Sequence, residues 1–82
     1  MEVKVGKIYR HFKGNLYLVE GIATNSETGE KMVVYKGLYG DCVLYVRPYD
    51  MFVEKMDRDE YPDVKQEYRF QLVEVTSKVG EN

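Results

Sequence analysis

Apolar and polar residues in this chain alternate with a period of two, in short runs cut apart by glycine, asparagine and proline. Such a pattern sends successive side chains to opposite faces of an extended backbone and cannot draw one apolar stripe along a helix. The chain therefore reads as all-β. Its first run is Ile8 to Phe12, with Ile8, Arg10 and Phe12 on one face and Tyr9 and His11 on the other. Lys13-Gly14-Asn15 supplies a tight turn, and Leu16 to Thr24 resumes the pattern. Gly21 interrupts that second run, which predicts a bulge or sharp bend, because a strand glycine costs backbone entropy without packing anything.

Asn25 to Glu30 is nearly all turn chemistry, with Gly29 placed for the left-handed position. Lys31 to Lys36 is β-branched and aromatic, and after Leu38-Tyr39-Gly40-Asp41 a further strand is expected from Cys42 to Arg47. Pro48 cannot donate to a ladder and ends it, and Tyr49 to Phe52 has the length of one 3₁₀ turn before a short strand at Val53-Glu54-Lys55. A charged surface loop at 56–67 precedes an added edge strand at 68–73, in which Tyr68, Phe70 and Leu72 share a face. Thr76 to Asn82 is expected to fray. Five or six short antiparallel strands with no helix over them must protect their edges by closing or by stacking. A small SH3-like barrel over residues 1–75 is the expected architecture.

A chain of 82 residues supports one core, since a domain of about this size buries only about 60% of its unfolded surface. No apolar run nears the ~20 residues of a membrane helix, and Met1 to Gly6 lacks an apolar segment after a basic start, so a cytoplasmic location is expected. Cys42 is the single cysteine and His11 the single histidine, too few for a disulfide or a four-ligand zinc site, and no cofactor or metal is expected. Residues 1–55 carry eight Lys/Arg against seven Asp/Glu, a balance of +1, while residues 56–82 carry four against seven, a balance of −3. Neither half holds the basic excess that duplex nucleic acid demands.

Five residues stand out as candidates for ligand contact: Arg10, His11, Tyr39, Asp41 and Arg47. His11 has an ordinary pKa suited to proton transfer, yet no serine, cysteine or carboxylate stands at an informative spacing, so a structural or ligand-contacting role is favoured and no catalytic residue is assigned. Arg47 alternates with Leu44 and Val46 and should project outward, where its fork suits a carboxylate or phosphate; an internal pair with Asp41 or Asp50 is weighed equally. Arg10 shares a face with Ile8 and Phe12 and would need an acceptor if that face is core, either Glu20 or Asp41 or an anionic ligand. Tyr35, Tyr39, Tyr45 and Tyr49 are candidates to wall a groove; Tyr35 lies within an apolar run and is read as core. Cys42 has no activating base in view and is read as an inert thiol.

The spacing Gly6-x-x-Tyr9-Arg10-His11-Phe12-Lys13-Gly14, Tyr17-x-Val19, Ser26-Glu27-Thr28-Gly29-Glu30, Val33-Val34-Tyr35-x-x-Leu38-Tyr39-Gly40-Asp41 and Val46-Arg47-Pro48-x-x-Met51-Phe52 resembles the DUF1653 family of short bacterial proteins. The resemblance covers about residues 5–55. Tyr45 stands where members of that family usually carry tryptophan, and Tyr68-Arg69-Phe70 corresponds to its short C-terminal strand. It implies little about activity, since the family is one of unknown function.

Three functions from different classes are compatible with these residues. The preferred one is a binding module that recognises an anionic small molecule, nucleotide or acidic peptide through an Arg/His/Tyr surface. The alternative is a protein-interaction or homodimerisation domain that uses exposed tyrosines or an edge strand. A small enzyme acting through His11 is the least favoured, because water exclusion and preorganisation are hard to build on so small a barrel.

Overall fold

The computed structural model describes residues 1–74; the expected fraying at 76–82 lies outside them. The protein is built of five strands and one helical turn: β1 (Ile8–His11), β2 (Leu16–Thr24), β3 (Lys31–Gly37), β4 (Leu44–Pro48), α1 (Tyr49–Phe52) and β5 (Phe70–Leu72). All pairings are antiparallel, and the strands lie in the order β4-β3-β2-β1-β5. The all-β fold class and the meander of three hairpins are as the alternation requires. The barrel is not: the sheet is open, with β4 and β5 at its two edges and no ladder between them. Val53-Glu54-Lys55 contributes no strand, only an isolated bridge from Lys55 to Tyr68.

Local turn chemistry acts where the residues place it. Gly29 has φ 77° and its N–H donates to the Asn25 carbonyl at 2.7 Å, while the Asn25 side chain accepts from Glu27 and Thr28 N–H. The β2–β3 register slips between Val19 and Gly21, so Glu20 is the extra residue of a bulge that bends the sheet. The turn at Tyr49–Phe52 is α-helical and not 3₁₀, because Val53 N–H reaches the Tyr49 carbonyl, an i to i+4 bond of 3.1 Å. Pro48 sits just before the helix, where no N–H is needed.

The strands curl around a core of Val3, Tyr9, Val19, Val33, Tyr35, Phe52 and Phe70. Aromatic rings dominate it. Phe52 stacks on Phe70 with centroids 4.2 Å apart and planes 7° from parallel, and both meet Tyr35 edge-on. Tyr9 is buried with its hydroxyl accepting from Lys4 N–H, and the Tyr49 hydroxyl accepts from Val3 N–H, so the segment before β1 is tied over the core.

Which face is inward differs from expectation on two strands. On β1 the core face carries Tyr9 and His11, while Arg10 is exposed on the other; on β4 Tyr45 and Arg47 share the face of Tyr35 and Val33, while Leu44 and Val46 point away. Arg10 is therefore not a buried cation in need of an acceptor. Its carbonyl accepts from Gln66 Nε2, which also donates to Tyr68 and Arg69 carbonyls and so staples the charged loop to the sheet. Among the described residues, no helix is long and apolar enough to cross a membrane.

Candidate functional site

Every strand sends one side chain or more to a single cleft on the inner face. His11 comes from β1, Tyr17 from β2, Tyr35 from β3, Tyr45 and Arg47 from β4, and Phe70 from β5. The cleft has a volume of about 180 Å³. Its existence follows from the curl, since β4 and β5 are opposite edges and yet the Arg47 guanidinium carbon lies 5.3 Å from the centre of the Phe70 ring.

The register builds the wall. Tyr35 and Tyr45 are directly opposed across β3 and β4 and stack with centroids 5.6 Å apart. Tyr17 opposes Gly37, and its ring meets Tyr35, Tyr45 and Phe70 edge-on. Gly37 leaves room there for Tyr39, whose hydroxyl lies 3.0 Å from that of Tyr17. A Cβ on Gly37 would stand 3.0 Å from Tyr39 Cε1. Gly37→Ala is expected to push the Tyr39 ring off and lower stability by about 1 kcal/mol, the low end for overpacking because Tyr39 is half-exposed and can move; an unchanged melting temperature together with an unchanged Tyr39 ring spectrum would refute the close approach.

Arg47 is the charge of the site. Its Nε donates to the Tyr35 hydroxyl at 3.2 Å and its guanidinium carbon lies over the Phe70 ring, two contacts that hold the group in the cleft. The ion pairs among the described residues are Lys36 with Glu20, Lys55 with Glu67, and Arg69 with Glu54, and none involves Arg47. Asp41 and Asp50, the carboxylates expected to hold it, are both exposed and make no ion pair with it. Arg47 therefore lines the cleft with no carboxylate ion-paired to it among the described residues.

His11 stands beside it as a neutral group. Burial, then the positive charges of Arg47, Arg69 and Lys13, push its pKa from the ordinary 6.5 to about 4. Lys13 N–H donates to Nδ1 at 3.2 Å, so the neutral ring carries its proton on Nε2 and offers that atom as a donor. Since the folded pKa lies below the unfolded one, the unfolded chain takes up the proton first, and stability falls as pH drops from about 6.5 to about 4. As the chain's single histidine, His11 gives one imidazole signal by NMR, and its titration midpoint is expected near 4; a midpoint near 6.5 would refute both its burial and its cationic surroundings. The Tyr45 phenol is held above its ordinary range, first by interaction with the Tyr39 hydroxyl and then by burial.

Of the five residues singled out by sequence, His11 and Arg47 meet in the cleft and Tyr39 joins its rim through Tyr17. Arg10 is on the outer face, and Asp41 is exposed in the β3–β4 turn. Tyr49 is engaged elsewhere, under Lys31 Nζ at 4.0 Å from its ring centre. Tyr17 and Phe70 were not among the candidates. The available signal was their period-two alignment with Val19 and Leu72 on core-facing strands, which does not separate a cleft wall from core. A larger depression, of about 440 Å³, lies between Lys4–Ile8 and Leu72–Glu74, but no aromatic ring lines it and Lys4, Lys7 and Glu74 are exposed to solvent. Among the described residues no group of three His, Cys, Asp or Glu side chains is placed to share a metal ion.

Comparison with known proteins adds two findings. The model of a family described as "Protein of unknown function (DUF1653)" matches residues 7–72, which takes in the charged loop and β5 as well as the first four strands. The crystal structure of a DUF1653 protein from Bordetella bronchiseptica is similar over 93% of this chain and 94% of its own, with 31% identity and a TM-score of 0.73. No curated protein matches the chain.

Proposed function

The chain belongs to the DUF1653 family, a family of unknown function, and we propose from the chemistry of its cleft that it is a binding module for a small anionic group, a carboxylate or a phosphate. The observation that carries this is Arg47: a guanidinium held by Tyr35 and Phe70 in the lining of a concave, aromatic-walled space, with no carboxylate paired to it among the described residues. An arginine held in this way loses little freedom on binding and presents two parallel donors to a planar acid. Neutral His11 adds an Nε2 donor without adding charge, and the tyrosine walls reduce the water that screens the pair. Tyr39 closes the rim.

Size narrows the ligand. A cleft of about 180 Å³ is smaller than the ~300–1,000 Å³ pockets that enclose whole drug-sized ligands. It suits an acid group and the few carbons behind it; the base of a nucleotide would lie outside, against Tyr45.

Titration of the protein at low salt with acetate, glutarate, inorganic phosphate and a nucleoside monophosphate, followed by NMR, is expected to give saturable shifts at His11, Tyr45 and Arg47. Affinity for so small a contact is expected on the order of 1 mM, weakening as salt is added. A bound anion offsets the charge of Arg47, so the His11 midpoint should rise from about 4 when the site is filled. No shift with any of the four anions would sink the reading.

A further inference from the structure

The two sheet edges are treated differently. β5 is three residues long, and the chain leading into it is accompanied by Glu54–Met56: Arg69 N–H donates to Glu54, Met56 N–H donates to Glu67, and Lys55 bridges Tyr68. Among the described residues, β4 is paired only with β3. Gly37 N–H donates to the Val43 carbonyl, and the register opposes Tyr35 with Tyr45 and Val33 with Arg47. In an antiparallel ladder alternate residues exchange bonds with the partner, so Val43, Tyr45 and Arg47 are spent on β3 while Leu44 and Val46 turn their N–H and C=O groups outward. Pro48 is the next outward position and has no N–H, which ends the template.

This open edge is also apolar. Leu44 and Val46 are 58% and 61% exposed on the outer face, and the strand's guards, the inward Arg47 and Pro48, sit at its C-terminal end, with no lysine and no bulge along it. Its inner face is the rim of the anion site, because Tyr45 and Arg47 are themselves residues of β4. A strand laid along this edge would hydrogen-bond at Leu44 and Val46. Its residues opposite Tyr45 and Arg47 would then form the non-hydrogen-bonded pairs, in which side chains stand closest.

We propose that β4 accepts an extended acidic peptide as an added antiparallel strand, with an Asp or Glu side chain entering the cleft against Arg47 and aliphatic side chains covering Leu44 and Val46. The charge complementarity chooses the partner: Arg47 has no carboxylate of its own among the described residues, and Lys13 and Arg69 add to the positive field at His11. Backbone pairing supplies affinity and the cleft supplies selection, the division of labour in β-strand addition. This rests on the anion-site reading and adds the class of molecule that carries the anion.

The test uses a capped hexapeptide of alternating Val and Glu, the same peptide with Gln for Glu, the same peptide N-methylated at its valines, and free glutarate. Wild type is expected to bind the Val-Glu peptide with the Leu44 and Val46 amides becoming protected from hydrogen exchange, and to bind the Gln and N-methyl peptides at least tenfold more weakly. Val46→Pro removes an outward N–H without touching a β3 bond; it should lose the peptide tenfold or more while still shifting with glutarate. Should Val46→Pro fail to fold, the N-methyl peptide and the exchange of Leu44 and Val46 carry the same test. Equal binding of N-methylated and plain peptide, or no protection of the two amides, overturns strand addition and leaves the anion site standing. Failure of glutarate and peptide alike removes both. A concentration-dependent dimer through β4 that the peptide does not compete away overturns the proposal in favour of a second copy of the chain on that edge.

Discussion

Phe52→Ala is expected to unfold most of the protein at physiological temperature. Phe52 is wholly buried in α1, stacked on Phe70 at 4.2 Å and in edge contact with Tyr9 and Tyr35 at 5.5 and 5.4 Å. Truncating a buried phenylalanine costs about 3–5 kcal/mol, part of it lost transfer energy and part the cavity left behind. A domain this small has a total stability of about 5 kcal/mol, so the loss is comparable with the whole. The cavity cannot collapse cheaply, because its other walls are rigid rings on three different strands. It also strips the packing from β5, whose Phe70 lies on Phe52 and whose pairing with β1 is only three residues long. Phe52→Leu, which keeps most of the volume, should cost about 1.5 kcal/mol or less. Denaturant unfolding followed by circular dichroism measures both. A fall in melting temperature of less than about 10 °C for Phe52→Ala would be inconsistent with a loss of 3 kcal/mol and would show that the stack is not the centre of the fold.

Arg47→Ala should abolish detectable anion binding while leaving the protein folded. A charge-assisted hydrogen bond contributes about 1.5–3 kcal/mol, which corresponds to a weakening of roughly 10- to 150-fold. From a starting affinity on the order of 1 mM, that puts the variant beyond measurement. The structural cost is smaller, since the guanidinium donates one partly buried bond to the Tyr35 hydroxyl and such bonds are worth about 1 kcal/mol. Arg47→Lys separates charge from geometry. It keeps the cation but not the paired donors or the stack on Phe70, and should retain weak, salt-sensitive binding with no preference for a planar acid. Calorimetry or NMR titration with glutarate reads all three proteins. Undiminished binding by Arg47→Ala would move the site away from the cleft and take the strand-addition proposal with it.

The residues announced the strands and turns almost everywhere, and failed on which side of β1 and β4 would be buried. Alternation places Ile8 with Arg10 and Leu44 with Val46 correctly as pairs, but it has no sign. Aliphatic residues invite the inward assignment. Here the core is aromatic, so Tyr9 and His11 on β1 and Tyr45 and Arg47 on β4 turn in, and the aliphatic faces are left half-covered or bare. The same error put Arg47 outside, where it would have paired with Asp41 or Asp50, and gave Arg10 a burial problem it does not have. Closure also was not legible. Whether Val53 to Lys55 pairs as a strand or makes one bridge to Tyr68 depends on where the loop at 56–67 returns, and that loop's own residues favour neither.

What is local is legible in the residues alone: the period-two strands, the left-handed turn at Gly29, the bulge beside Gly21, the stop at Pro48. Each is decided within a few residues by backbone sterics and turn hydrogen bonds. The inward face is settled by packing across the whole sheet, because burial is summed over five strands at once and the large rings outweigh the small aliphatic chains. Only the tertiary structure brought His11, Arg47 and Phe70 together, since positions so far apart in the chain meet only when the curl of an open sheet carries β4 round to β5. The open edge of β4 has the same origin: a sheet that bends toward closure and stops short leaves one strand with unpaired backbone beside the aromatic cleft.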